Sequence, residues 1–300
     1  MRIIHYSDSQ TSNASIGILT DGGAINFTEA YQAYQLFESG SCACPYHSPI
    51  DLMKAGLFTI GTFKSVLDFV RNHRMTDRFS VSDYTLLAPI ANPSKILALG
   101  RNYVEHAKEL GNYIPKEPVF FSKLPSSVVG PNDPVVYKKF LTRVDPEVEL
   151  AVIIGKQGAD ISEADVWDYI AGYTIVNDVT ARDMQAEDFK TASPWTRSKG
   201  IDTFCPVGPC ITLPDEITPP IELDLELRVN GEVRQKSNTR NFIFSIPRAI
   251  SYISQYHTLY PGDIIPTGTP EGIAPVQPGD VMECIVEKIG TLNNPVVAEG

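Results

Sequence analysis

The stretch Arg143-Val144-Asp145-Pro146-Glu147-Val148-Glu149-Leu150-Ala151-Val152-Ile153-Ile154-Gly155 places acids where a strand ordinarily holds apolar residues. After the proline it reads as a strand, and Gly155 ends it. Successive strand side chains point to opposite faces, so Glu147, Glu149, Ala151 and Ile153 share one face and Val148, Leu150, Val152 and Ile154 the other. The pattern predicts two carboxylates projecting side by side. Taking two like charges out of water together is costly unless a cation sits between them, and all-oxygen ligands suit a hard ion such as Mg²⁺, Mn²⁺ or Ca²⁺. The alternative is a solvated strand end with both acids facing water. A hard cation would want one more protein carboxylate. Asp178, where the buried strand Ile170 to Val176 gives way to a loop, is the candidate, and Asp183 is the fallback.

Working outward, 300 residues with 43% hydrophobic content suffice for one sizeable core or two modest ones. The 25 basic and 36 acidic residues leave a net charge of −11, and no basic cluster tracks a phosphate backbone, so nucleic acid is excluded as a partner. No basic segment followed by an apolar run opens the chain, and no apolar stretch has the length a bilayer requires. These features predict a soluble, cytoplasmic protein without a membrane partner. Five scattered cysteines, Cys42, Cys44, Cys205, Cys210 and Cys284, argue against a disulfide framework. Cys42 to His47 would be half of a zinc site, but no second ligand pair follows at the required spacing.

Residues 1–90 read as a small α+β unit: a strand from Arg2 to Tyr6, a turn at Asp21-Gly22-Gly23, and helices over Thr28 to Leu36 and Phe63 to His73. Asp83 to Pro93 reads as a linker to a main domain over 91–300. There the strand Lys95 to Leu99 ends at Gly100, and Arg101 to Gly111 has the pattern of a short helix capped by Asn102 and ended by Gly111. In such a helix His106 and Glu109 stand three apart on one side. A carboxylate bonded to one imidazole nitrogen fixes the tautomer and leaves the other nitrogen to take a proton, although an ordinary surface pair has the same spacing. Pro118 to Ser127 reads as a strand running into a polar loop, with Lys123 at the rim, where it would meet an anionic substrate or simply solvent. Lys199, next to Gly200, is placed to aim an ammonium at developing negative charge.

The last third has β character. Leu223 to Val229 and Glu232 to Lys236 flank Asn230-Gly231, the signature of a two-residue type I′ hairpin. A helix starts at Ser245 with Pro247 in its first turn, and Ile250, Ile253 and Tyr256 form its buried side. The loop Pro266-Thr267-Gly268-Thr269-Pro270-Glu271-Gly272 lacks the Gly-Lys-Ser/Thr ending of a phosphate-binding loop, which excludes nucleotide binding. Its backbone N–H groups and the Thr269 hydroxyl suit a substrate carboxylate instead.

In this order the pieces resemble the fumarylacetoacetate hydrolase family, from Ser94 to the C-terminus. The resemblance rests on Gly100-Arg101-Asn102-Tyr103 with His106 and Glu109, on Phe121-Ser122-Lys123, on Asp145 to Leu150, on Gly172 to Asp183, on Ser198-Lys199-Gly200-Ile201-Asp202-Thr203, and on Thr267-Gly268-Thr269-Pro270. The family usually has Tyr where Pro146 stands here.

The resemblance implies a mixed α/β, predominantly β fold, with a mixed β-roll catalytic domain following the small N-terminal one. It also implies a homodimer, and Mg²⁺ or Mn²⁺ on Glu147, Glu149 and Asp178. It implies a hydrolase that cleaves a C–C bond in an acylpyruvate-like β-diketo acid. In that scheme His106, oriented by Glu109, activates water; Lys199 and Gln185 stabilise the oxyanion; Thr269 holds the carboxylate; and Arg101 and Lys123 contact the small oxo-acid substrate. The family also contains isomerases, decarboxylases and hydratases on the same metal site, and isomerisation of an enol dicarboxylic acid is the second expectation. A β-rich binding module with a structural Ca²⁺ would use the same carboxylates, but gives no reason for His106, Lys199 and Gln185 to accompany them.

Overall fold

In a computed structural model, which describes residues 1–9, 13–41, 45–109, 111 and 113–300, the acidic stretch is the strand Val148–Ile154, and every residue of it is buried. It pairs antiparallel with Ile170–Asn177 on one side and with Ile264–Pro266 on the other. These belong to a twelve-stranded sheet that runs, edge to edge, Ser80–Val81, Gly23–Asn26, Ala14–Thr20, Arg2–Asp8, Cys205–Thr212, Ile170–Asn177, Val148–Ile154, Ile264–Pro266, Ile96–Gly100 and Val119–Lys123. Tyr84–Leu86 and Val128–Val129 pair off this path. Ile264–Pro266 runs parallel to Ile96–Gly100, so the sheet is mixed, and the fold is the mixed α/β architecture with much β structure that the sequence predicts. A five-stranded sheet, Glu232–Asn238, Asp224–Val229, Val281–Val286, Gly290–Ala298 and Val135–Tyr137, packs beside it.

Alternation along the acidic strand sends its two faces into two cores. Val148, Leu150, Val152 and Ile154 pack with Leu225, Leu227 and Val286 of the smaller sheet and with Ile250 and Ile253 of the helix Ile246–Ser254. Ala151 and Ile153 pack instead with Ile3, Ile16, Phe27, Phe63 and Val66 from the first ninety residues. Each such aliphatic side chain contributes about 1.5–3 kcal/mol when fully buried.

Local signals account for most elements. Asn230 and Gly231 have φ values of +51° and +81°, the positive pair that a type I′ turn requires. The helix Phe27–Ser39 starts on Asn26, whose side chain accepts from the Glu29 N–H, and Ile60–Asn72 starts on Thr59, which accepts from Thr62. Ser245 caps Ile246–Ser254 by accepting from the Arg248 N–H. Pro146 falls in the break between Val144–Asp145 and Val148–Ile154, where no ladder bond is lost.

Several expectations are corrected. Segment 83–93 is not a plain linker, because Tyr84–Leu86 within it pairs with Arg2–Asp8. Tyr256 lies past the end of its helix and is 59% exposed, while Ile250 and Ile253 are fully buried. Cys42 and Cys44 lie outside the described residues, and the His47 ring Nδ1 contacts the Ala14 carbonyl. Cys205, Cys210 and Cys284 are free and buried, and burial pushes the thiols of Cys205 and Cys210 up to about 12 and about 11. Among the described residues no helix is long and apolar enough to cross a membrane.

Candidate active site

Glu147 and Asp178 face each other because their strands are antiparallel neighbours with Val148 opposite Asn177. The Asp178 N–H donates to the Glu147 carbonyl at 2.8 Å, and the Glu147 N–H donates to the Asn177 side-chain oxygen at 2.9 Å. Glu149 follows on the strand. One carboxylate oxygen from each of Glu147, Glu149 and Asp178 falls within 4.8 Å of the others, and all three residues are buried. A solvated strand end is thereby ruled out; Asp183, the fallback, is exposed and accepts from Thr142 away from this cluster.

Cations surround the cluster unevenly. The Lys199 ammonium lies 2.7 Å from Glu147 and 2.5 Å from Asp178, Lys123 lies 2.6 Å from Asp178, and Arg182 bonds Glu147 as well as Asp145. Glu149 has no ion pair among the described residues; its carboxylate accepts the Gly268 N–H at 2.7 Å. Burial disfavours charge on both glutamates, with opposite outcomes. At Glu147 the neighbouring Lys199 and Arg182 outweigh burial and hold the carboxyl well below the usual range. At Glu149 burial is reinforced by repulsion from Asp178 and Glu147, and its carboxyl is pushed well above that range. A buried carboxylate with no cation, beside two more carboxylate oxygens, fits a hard divalent ion.

The dyad is formed. In the helix Val104–Glu109, His106 is buried and its Nδ1 lies 3.3 Å from Glu109, whose two oxygens also accept the Gly272 N–H at 3.1 and 3.2 Å. Burial alone would raise the Glu109 carboxyl, but the bonds from His106 and Gly272 win and hold it below its usual value. Gly111 follows this helix with φ +65°, while the Asn102 side chain is engaged away from the helix start. Its amide donates to the Phe244 and Thr267 carbonyls and accepts the Phe244 N–H, tying two distant loops to the strand end.

One cavity is lined by His106, Glu147, Glu149, Asp178, Lys199, Gln185, Thr269 and Arg101, with Phe121, Phe189 and Trp195 as its aromatic wall. A wider groove of about 1030 Å³ lies apart, lined by Ile50, Met53, Phe58, Tyr169 and Tyr260, and holds none of these side chains. Lys123 is not at a rim: it is fully buried beneath the cluster, donating to Asp178 and to the Lys199 carbonyl. The Gln185 side-chain oxygen accepts from Arg182 at 2.6 Å and the Thr269 oxygen accepts from Gln235 at 2.9 Å; among the described residues nothing accepts from the Gln185 NH₂ or the Thr269 hydroxyl.

Sequence reading gave no role to the tethers. Arg182 links Asp145, Glu147 and Gln185, and Gln235 accepts the Val148 N–H while donating to Thr269 and the Pro270 carbonyl. Gln235 sits on a hairpin strand 87 residues from Val148, and no local signal connects them.

A buried three-carboxylate cluster that could hold a divalent cation, with His106 on the same cavity and bonded to Glu109 at the end of a mixed sheet, is the arrangement of an acid–base enzyme. The family model described as fumarylacetoacetate (FAA) hydrolase C-terminal matches residues 95–297, and the chain belongs to that family. A mitochondrial oxaloacetate tautomerase of Xenopus laevis is 39% identical over 305 residues, covering 99% of this chain and 90% of that protein. The structure of a 5-carboxymethyl-2-hydroxymuconate delta-isomerase from Mycobacterium smegmatis superposes with a TM-score of 0.74 at 33% identity, covering 100% of both chains. A fumarylpyruvate hydrolase from Pseudomonas aeruginosa, solved with Mn²⁺ and pyruvate, gives a TM-score of 0.65 at 33% identity over 68% of this chain and 90% of that one.

Proposed function

We propose that this protein is a divalent-metal-dependent tautomerase that interconverts the keto and enol forms of a small 2-oxo acid of the oxaloacetate kind. The observation that carries the reading is that His106, bonded to Glu109, lines one cavity with the three carboxylates. It is supported by the tautomerase relative, whose similarity extends over 99% of this chain. Mg²⁺ or Mn²⁺ held by Glu147, Glu149 and Asp178 would supply Lewis acidity toward the carboxylate and carbonyl oxygens of the substrate.

The remaining work falls to side chains. His106 takes a proton from the carbon next to the carbonyl through the nitrogen that Glu109 leaves free and delivers it to the carbonyl oxygen, which gives the enol and restores the neutral imidazole; the reverse reaction moves the proton from that oxygen back to carbon. Glu109, held ionised, keeps the other ring proton on Nδ1. Lys199 fixes Glu147 and Asp178 relative to each other, and Lys123 supports Asp178 from below. The free NH₂ of Gln185 and the free hydroxyl proton of Thr269 donate to substrate oxygens. The functional form is a homodimer, as the family resemblance implies, and light scattering at twice the 33.0 kDa chain mass would check it.

Hydrolytic C–C cleavage of an acylpyruvate-like acid is the second reading. A carboxylate-backed imidazole equally suits activation of water, and the relative solved with Mn²⁺ and pyruvate is a hydrolase. One experiment separates the readings: enol absorbance of oxaloacetate and of an acylpyruvate panel is followed with Mg²⁺ and then EDTA, with product masses recorded. Metal-dependent relaxation of oxaloacetate at unchanged mass supports tautomerisation. Uptake of water with release of pyruvate transfers the assignment to hydrolysis, and loss of neither signal removes both.

A further inference from the structure

Arg101 lines the same cavity in an unusual way. Its backbone has φ +59°, a left-handed conformation that side chains other than Asn, Asp and Gly seldom adopt, so the surrounding structure imposes it. The imposed conformation sets the guanidinium among three rings, with Tyr113 at 4.9 Å, Phe189 at 5.4 Å and Trp195 at 5.9 Å from their centroids. The wall itself is braced. Trp195 packs edge-on against Phe121 and Phe189 at 5.1 and 5.0 Å, and it lies so close over Gly100 that a Cβ there would stand 3.1 Å from its ring.

The other basic groups of the cavity are committed: Lys199 to Glu147 and Asp178, Arg182 to Asp145 and Glu147. Arg101 is not. Among the described residues no carboxylate pairs with it, and its Nε is buried without a hydrogen-bond partner. A partly exposed guanidinium framed by aromatic faces, with its Nε buried and its planar fork unoccupied, is matched by a planar carboxylate bound bidentately. The net charge of −11 makes such a cation all the more necessary for an anionic substrate.

We infer that Arg101, framed by Tyr113, Phe189 and Trp195, is the subsite for the second carboxylate of a 2-oxo dicarboxylic acid and sets the preference for dicarboxylates over monocarboxylic 2-oxo acids. This rests on the reading of the carboxylate cluster as the place where the 2-oxo acid end binds. Arg101 determines specificity and takes no part in the proton transfer.

The test compares oxaloacetate with 2-oxobutanoate, in which a methyl group replaces the second carboxylate. Exchange of the C3 protons into D₂O is followed by NMR with the Mg²⁺-loaded wild type, Arg101→Met and Arg101→Lys, after thermal melts confirm folding. Arg101→Met should raise the KM for oxaloacetate about 30-fold, and leave kcat and the KM for 2-oxobutanoate within about twofold. Arg101→Lys should fall between, since an ammonium keeps the charge and loses the fork. Equal losses on both substrates, or no loss on either, would overturn the inference. Binding followed through Trp195 fluorescence requires no turnover. A wild-type preference for oxaloacetate that vanishes in Arg101→Met supports the subsite even if no exchange is catalysed, in which case the proposed reaction fails alone; equal wild-type affinity for both acids overturns the subsite.

Discussion

At the scale of single residues, Glu149 sets the carboxylate cluster apart from a plain salt-bridge network. It is buried with two carboxylates beside it and no cation of its own. Glu149→Gln should therefore weaken Mg²⁺ binding by more than about 100-fold in calorimetry, since even indirect support for a ligand is worth 10–100-fold. The same change should raise the melting temperature of the metal-free protein at neutral pH, because burial and repulsion from Asp178 and Glu147 push the Glu149 carboxyl up and folding works against its ionisation. His106→Ala should abolish turnover and leave metal affinity nearly unchanged, because the imidazole is not among the three clustered ligands; retained turnover in a direct assay would remove it from its role. Glu109 supplies the pH dependence. Its carboxyl titrates lower in the fold than its ordinary value of 4.5, so the folded state binds fewer protons and the pair contributes stability above about pH 4.5 that is lost as the pH falls further. Melting curves of wild type and Glu109→Gln should accordingly converge in acid. That Glu147 and Glu149 stand side by side was legible because two acids alternate on one strand face, whereas a His three residues before a Glu has the spacing of an ordinary surface pair, and only the fold shows His106 buried against Glu109. Lys123 was misplaced because a lysine at a strand end looks solvated until Asp178 and the Lys199 carbonyl are seen around its ammonium.

Elements were legible where the signal is local and obscure where a partner is distant. The Asn230-Gly231 hairpin, the Ser245-capped helix and the short His106 helix follow from turn chemistry, capping and spacing within ten residues or so. The parallel pairing of Ile264–Pro266 with Ile96–Gly100 joins segments far apart in sequence, and nothing in either one names the other. Gln235 shows the same difficulty. On its hairpin it reads as a polar residue for the solvent face, yet it is 1% exposed and satisfies the first N–H of the acidic strand. Gln235→Leu should leave that N–H and the Pro270 carbonyl without partners and destabilise the fold by about 1–3 kcal/mol in urea denaturation. A loss below a few tenths of a kcal/mol would show that water replaces the amide.

For the whole molecule, the decisive feature is that one strand carries the site and separates two cores. Ala151 and Ile153, on the same face as Glu149, are packed by side chains from the first ninety residues, and Arg2–Asp8 continues the sheet through Cys205–Thr212. A cation held by the cluster would bind only those forms of the chain in which the three carboxylates are assembled. Every opening that dissolves the acidic strand then becomes rarer by the same factor, about 100-fold when free metal stands at 100 times its dissociation constant. Backbone amides of Arg2–Asp8 and of the helix Ile60–Asn72, none of them in the cavity, should thus exchange with deuterium more slowly once Mg²⁺ is added, while amides at the Asn230-Gly231 hairpin tip keep their rate. The N-terminal amides would then act as remote reporters of metal occupancy.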